Sequence, residues 1–187
     1  MEFLTIPGWH GSGPAHWQSR WEALHGYHRV EQHDWDRPLR GDWSARLEDV
    51  VRDSTAPVVL VAHSLGCILV AAWAAHSSST HRVRAALLVA PGDAEREELR
   101  GALPGWAPIA RRPLPFPALL VASDNDPFCT PQRAAGLASD WGARLVPAGP
   151  LGHINADSGL GDWPRGHALL QELLGSLPAL PNNDTTT

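Results

Sequence analysis

The run Val58-Val59-Leu60-Val61-Ala62 passes through His63-Ser64-Leu65-Gly66 into an apolar helix expected from about Cys67 to Ala75. Nothing else in the chain restricts its fold as much. Five aliphatic residues in a row fit a strand covered on both faces, the situation at the centre of a parallel sheet. Similar runs recur at Phe3–Ile6, Ala85–Val89, Ala118–Ala122 and Arg144–Val146, with a weaker one at His28–Glu31. Helix-length segments separate them. Trp17, Trp21 and Leu24 share one face of a helix over His16–Leu24. Asp42 is expected to cap a helix running to Asp53, with Leu47, Val50 and Val51 inward. Thr130-Pro131 opens another helix, and Asp162-Trp163-Pro164 starts a last one that runs to about Leu177. This alternation predicts one α/β domain over 1–177 with a largely parallel sheet. The polar end, 178–187, is expected to be a flexible tail. The long irregular stretch 91–117 reads either as a lid or as a Pro-rich connector.

Composition narrows the chemistry. Hydrophobic residues make up 43 % of the 187, enough for a real core, which excludes a mainly disordered chain. The formal net charge of −5 and a pI near 6.0 argue against nucleic acid, which demands a basic face. All fifteen basic residues are arginines, so a Schiff-base lysine, a P-loop lysine and a Ser-Lys dyad are excluded. The apolar runs stop at strand length, and Met1-Glu2-Phe3 lacks the start of a signal peptide, so a cytoplasmic protein without membrane insertion is expected. Cys67 and Cys129 are too few for a disulfide framework or a zinc ribbon.

Ala62-His63-Ser64-Leu65-Gly66 lies where a nucleophile elbow belongs, between a buried strand and a helix. Such a turn needs small residues two before and two after the serine, and Ala62 and Gly66 supply them. The serine hydroxyl then stands at a helix N-terminus, where free N–H groups favour developing negative charge. An ordinary turn with serine as an N-cap is the bland alternative.

A serine hydroxyl needs a base, and the base needs a carboxylate to orient it. The strand ending at Ala122 runs into Ser123-Asp124-Asn125-Asp126-Pro127, and the strand ending at Val146 leads to Gly152-His153. Among the ten histidines, His153 alone follows the last strand on a Gly-flanked loop, whereas His167 lies inside the final helix and His63 reads as structural. Asp126, held out of helix by Pro127, is favoured as the acid over Asp124, which would brace the loop, and over Asp93. No HExxH or clustered ligand spacing appears, so neither a metal nor a cofactor is expected.

The Gly-rich turn Pro7-Gly8-Trp9-His10-Gly11-Ser12-Gly13-Pro14 follows the first strand, where its amides face the serine. An oxyanion hole would pair the Leu65 N–H with that of Trp9. A phosphate-binding loop is the competing reading, but neither GxGxxG nor GxxxxGK is present. His10, Trp106 and Trp163 are candidates for the substrate pocket, with core packing the equal reading for the two tryptophans, and Trp17, Trp21 and Trp73 are candidates for the core. Cys129, beside the acid loop, is expected to be more exposed than Cys67.

Pro7-Gly8-Trp9, Ser12-Gly13-Pro14, His16-Trp17-Gln18, His63-Ser64-Leu65-Gly66, Ser123-Asp124-Asn125-Asp126-Pro127-Phe128 and the block from Gly152-His153-Ile154-Asn155-Ala156 to Ser158-Gly159-Leu160-Gly161-Asp162-Trp163-Pro164 together resemble the small serine hydrolases of the retinoblastoma-binding protein 9 family, in its bacterial branch. The resemblance implies a compact α/β-hydrolase fold of about six strands in the order 2-1-3-4-5-6, with helices on both faces and no large cap. It also implies a triad at Ser64, Asp126 and His153. The LxCxE element of the vertebrate namesake has no counterpart, since Leu65-Gly66-Cys67-Ile68-Leu69 ends in Leu, so no retinoblastoma-type partner is expected. The expectation is a carboxylesterase-like serine hydrolase that cleaves an ester, thioester or amide of a small acyl substrate. An acyltransferase with the same triad, and a non-catalytic binding protein on a hydrolase fold, are the other readings. The oligomeric state stays open.

Overall fold

The apolar runs pair side by side in one sheet. The computed structural model describes residues 1–179. Six parallel strands, β1 (Glu2–Ile6), β2 (His28–Arg29), β3 (Val58–His63), β4 (Val83–Val89), β5 (Ala118–Ala122) and β6 (Arg144–Pro147), lie in the order β2-β1-β3-β4-β5-β6. Among the described residues four helices connect strands, α1 (Trp17–His25), α2 (Arg40–Asp53), α3 (Leu65–Ala74) and α4 (Pro131–Trp141), and α5 (Pro164–Gly175) follows β6.

Alternate residues of the strands feed two cores. Leu60, Ala62, Leu88 and Leu120 face α2, α3 and α4 with Leu47, Ile68 and Leu137, while Val59, Val61, Leu87 and Val121 face α1 and α5 with Trp17, Trp21 and Leu170. β3 is buried over all six residues, which is why its sequence carries no polar alternation. Burial of each such side chain contributes about 1.5–3 kcal/mol, so the centre of the sheet is also its most strongly held part.

Parallel pairing brings every strand's carboxyl end to one edge. The chain leaves β1 toward β2 and then returns to the other side of β1 as β3, so the loops after β1 and β3 part there and leave a crevice.

Three local expectations need correction. α2 begins at Arg40 with Leu39 as N-cap, and Asp42 sits in the first turn, where its charge favours the helix dipole without capping it. α3 begins at Leu65, directly after the serine. α5 ends at Gly175. The tail expected over 178–187 falls outside the described residues from 180 onward.

The 91–117 segment is packed down. Leu103, Trp106, Ile109 and Phe116 are buried in the core on the α2 side, and the Trp106 indole donates to the Pro38 carbonyl at 2.9 Å. Glu95 fastens it further, accepting from the Ile109 amide at 2.9 Å, from Arg111 at 2.7 Å and from Arg133, which also donates to Asp93 at 3.0 Å. It is a fixed connector whose inner side faces the carboxyl edge of the sheet.

Candidate active site

At the end of β3 the chain reverses within one residue. Ser64 takes φ 55° and ψ −122°, a conformation that a residue with a side chain adopts only under constraint. Its amide donates to the Val89 carbonyl at 3.0 Å, and its carbonyl accepts from Cys67 N–H at 3.0 Å as α3 begins. The small residue expected two after the serine has a measurable cause. A Cβ on Gly66 would lie 2.2 Å from the Ile6 carbonyl oxygen and 2.9 Å from that of Pro7. A Cβ on Gly8 would lie 2.7 Å from Cβ of Ser64. The elbow and the first loop are therefore pressed against each other.

The loops after β5 and β6 bring the acid and the base to Ser64. Nε2 of His153 lies 2.8 Å from Oγ of Ser64, and its Nδ1 lies 2.9 Å from both carboxylate oxygens of Asp126. A carboxylate accepts and does not donate, so Nδ1 carries the proton and Nε2 presents a lone pair to the serine hydroxyl. The His153 side chain is 9 % exposed and that of Asp126 2 %, which keeps their interaction out of water. Phe128 covers the imidazole edge-on, with ring centroids 4.6 Å apart.

The bracing of this file is where the sequence reading falls short. Asp124 is exposed and does not brace the loop through its side chain. Ser123 and Asn125 do that work: Oγ of Ser123 donates to Asn125 Oδ1 at 2.9 Å and accepts from the Leu151 amide at 2.9 Å. Asn125 Oδ1 also accepts from Gly152 N–H at 2.7 Å, which zips the acid loop to the histidine loop. His63 is structural as expected, and its Nε2 donates to the backbone carbonyl of His153 at 2.9 Å. The Trp17 indole donates to the next carbonyl, that of Ile154, at 2.8 Å. Burial and the neighbouring His16 and His153 hold the His63 pKa well below the ordinary histidine range, so it stays a neutral donor. Burial, with His153 and Arg29 beside it, lowers His16 to about 4.

The first loop is held to β3 from beneath. Ser12 donates to Gln18 Oε1 at 2.7 Å, and the Gln18 amide donates to the Val61 carbonyl at 2.9 Å. Trp9 is thereby placed over the elbow. Trp9 and Leu65 line the same cavity as Ser64, and among the described residues neither main-chain amide has an acceptor.

That cavity measures about 220 Å³. His10 lines it at an exposed edge where its Nδ1 lies 3.0 Å from Asp36. Trp106 and Trp163 do not. Trp106 is fully buried on the α2 side, edge-on to Trp43 at 5.4 Å. Trp163 is buried against Trp17 and Trp21 at 5.0 and 6.0 Å on the α1 side, where a Cβ on Gly166 would lie 2.2 Å from its ring. Lining residues that sequence reasoning missed are Gly92, Ala94, Leu99 and Leu103 of the 91–117 segment, with Phe128 and Asn155. The signal for the first four was the order of the chain itself, because the loop after β4 must pass the carboxyl edge beside the loop after β3, while Phe128 and Asn155 follow the acid and the histidine in their own loops. Cys129 is 4 % exposed and not open to solvent, and burial raises its thiol to about 12. Burial raises Cys67 further still.

A parallel sheet in this order, with a strained serine at the strand-to-helix turn after β3, defines an α/β hydrolase. The chain belongs to the serine hydrolase family, whose model matches residues 3–172. No curated protein sequence matches it. Among solved structures, a protein described as a YdeN-like hydrolase from Pectobacterium atrosepticum is similar, with TM-score 0.81 and 30 % identity over 93 % of this chain and 90 % of that one. The ydeN gene product of B. subtilis shares the fold with TM-score 0.73 and 19 % identity over 94 % and 99 % of the two chains. An esterase from Thermogutta terrifontis, solved with butyrate bound, shares it with TM-score 0.67 and 18 % identity over 96 % and 84 %.

Proposed function

We propose that this hydrolase cleaves a carboxylic ester, thioester or amide of a small molecule through an acyl-enzyme on Ser64. The observation that carries the reading is the unbroken file from Asp126 through His153 to Ser64, at 2.9 and 2.8 Å, on a strained elbow. Ser64 Oγ attacks the acyl carbon while His153 Nε2 takes its proton, and Asp126 stabilises the imidazolium at Nδ1. The Leu65 and Trp9 amides receive the oxyanion. Collapse of the tetrahedral adduct breaks the bond to the leaving group, which takes the proton from His153. Water, deprotonated by the same imidazole, then attacks the acyl carbon and releases the carboxylic acid, and the proton returns to Oγ. Proton balance closes within these residues. The likeness to an esterase crystallised with butyrate supports an ester among the three acyl classes.

The test is fluorophosphonate labelling read by intact mass, alongside hydrolysis of p-nitrophenyl butyrate, on wild type and on Ser64→Ala. The expected result is one phosphonyl adduct in wild type and none in the variant. Hydrolysis should fall by ~10³-fold or more, as for removal of a member of a concerted triad. Equal labelling or equal turnover in Ser64→Ala would remove Ser64 from the mechanism.

A further inference from the structure

The lining of the 220 Å³ cavity is graded by burial. Leu65, Ala94 and Leu103 are buried and Leu99 half-buried, which makes an apolar floor. His10 and Phe128 are exposed and make the rim. Chemistry decides which part of a substrate meets which side. The departing oxygen must take its proton from His153, so the leaving group lies against that ring. Phe128 packs on the same ring, which places the leaving group at the open rim. The oxyanion belongs to the Trp9 and Leu65 amides. One substituent of the tetrahedral carbon remains, the acyl chain, and the space left for it is the floor beneath Ala94, Leu99 and Leu103.

Size and charge follow from the same residues. An apolar cavity of about 150 Å³ holds one benzene, so by proportion this one of about 220 Å³ holds roughly nine non-hydrogen atoms. Three of them belong to the ester group, which leaves room for a chain of about six carbons. Among the described residues no Asp, Glu or Arg lines the cavity, so a charged acyl chain would be buried without a partner. The far wall is not free to swing away. Leu103 is tied to Leu99 by an N–H to carbonyl bond of 2.8 Å, and three residues on Trp106 is anchored in the core.

We infer that the substrate carries a short, uncharged acyl chain of up to about six carbons beyond the carbonyl, and that Leu99 and Leu103 set that limit. This rests on Ser64 being the nucleophile.

The experiment is kcat/KM on p-nitrophenyl acetate, butyrate, hexanoate and decanoate for wild type, Leu99→Ala, Leu103→Ala and Leu99→Trp, each with fluorophosphonate labelling in parallel. Wild type should peak at butyrate or hexanoate and fall at least about 10-fold by decanoate, the scale of discrimination a hydrophobic pocket supplies. Either alanine variant should raise the decanoate-to-butyrate ratio by about tenfold. Leu99→Trp, which fills space on a half-buried side chain, should depress hexanoate more than acetate. A wild-type profile that is flat or rises to decanoate overturns the inference, and so does a ratio that none of the variants moves. Labelled protein that ignores every short ester overturns the inference alone. Protein that neither labels nor turns over overturns the functional reading beneath it as well.

Discussion

Gly66 and Ser64 form one device, because the serine holds its left-handed backbone only while the glycine lets α3 approach the end of β1. Gly66→Ala would force a Cβ into the Ile6 carbonyl, a backbone atom that cannot step aside. We expect it to cost about 3 kcal/mol, the upper range for overpacking, read as a lower midpoint in urea unfolding. The orientation of His153 gives a second prediction. Asp126→Asn keeps the shape of the acid but favours the tautomer with its proton on the wrong nitrogen, so kcat should fall by ~10⁴-fold while the urea midpoint barely moves. His63 acts through His153 as a positioning residue. His63→Ala removes the donor to the His153 carbonyl and should lower kcat more than it raises KM. His63→Gln, whose amide still donates, should recover part of the loss. That Ser64, His153 and Asp126 come together was legible from residue type and chain order. The His63 contact was not, since a hydrogen bond spanning ninety residues leaves no local signature.

At the scale of elements, the strands and helices follow the hydrophobic pattern closely, and the misreadings fall where tertiary partners decide. Asp42 has the chemistry of a cap, yet α2 starts three residues earlier, with Leu39 as N-cap, and Trp43 turns inward to meet Trp35 and Trp106. Trp106 and Trp163 have the chemistry of pocket walls, yet each donates bulk to a core on a different face of the sheet. The 91–117 segment was ambiguous because its anchors, Arg111 and Arg133 on Glu95, join residues that pattern reading treats separately. Burial opposes the Glu95 charge, but the Ile109 amide and the two guanidiniums outweigh it and hold the carboxyl below its usual range. A depressed carboxyl stabilises the fold above its unfolded pKa and loses that contribution as pH falls through the folded one, so the fastening should slacken in strong acid. Glu95→Ala removes it at neutral pH. Losing about 1–3 kcal/mol of local stability should speed trypsin cleavage at exposed Arg100 by roughly tenfold or more, read on a time-course gel.

Across the whole molecule, the buried histidines give stability a pH dependence. His16 is lowered from 6.5 to about 4 and His63 is held well below 6.5, so on the acid side of 6.5 the unfolded chain binds protons that the native one refuses. Stability should therefore decline as pH drops from 6.5 toward 4, by about 3 kcal/mol for His16 alone. Urea unfolding at pH 7.5, 6 and 5 measures it. His16→Asn, which keeps an acceptor for the Gln18 amide at the start of α1, should flatten the slope. The mooring of His153 carries a consequence for how the protein ages under heat. β6 is an edge strand with one neighbour and mostly exposed side chains, the part of a sheet that opens first. The main chain at His153 and Ile154, to which it leads, is fastened elsewhere, to β3 through the His63 ring and to α1 through the Trp17 indole. Fraying of that edge thus leaves Ser64 and His153 together. The half-life of turnover at elevated temperature should track the global unfolding rate, while amide deuteration along β6 runs ahead of both.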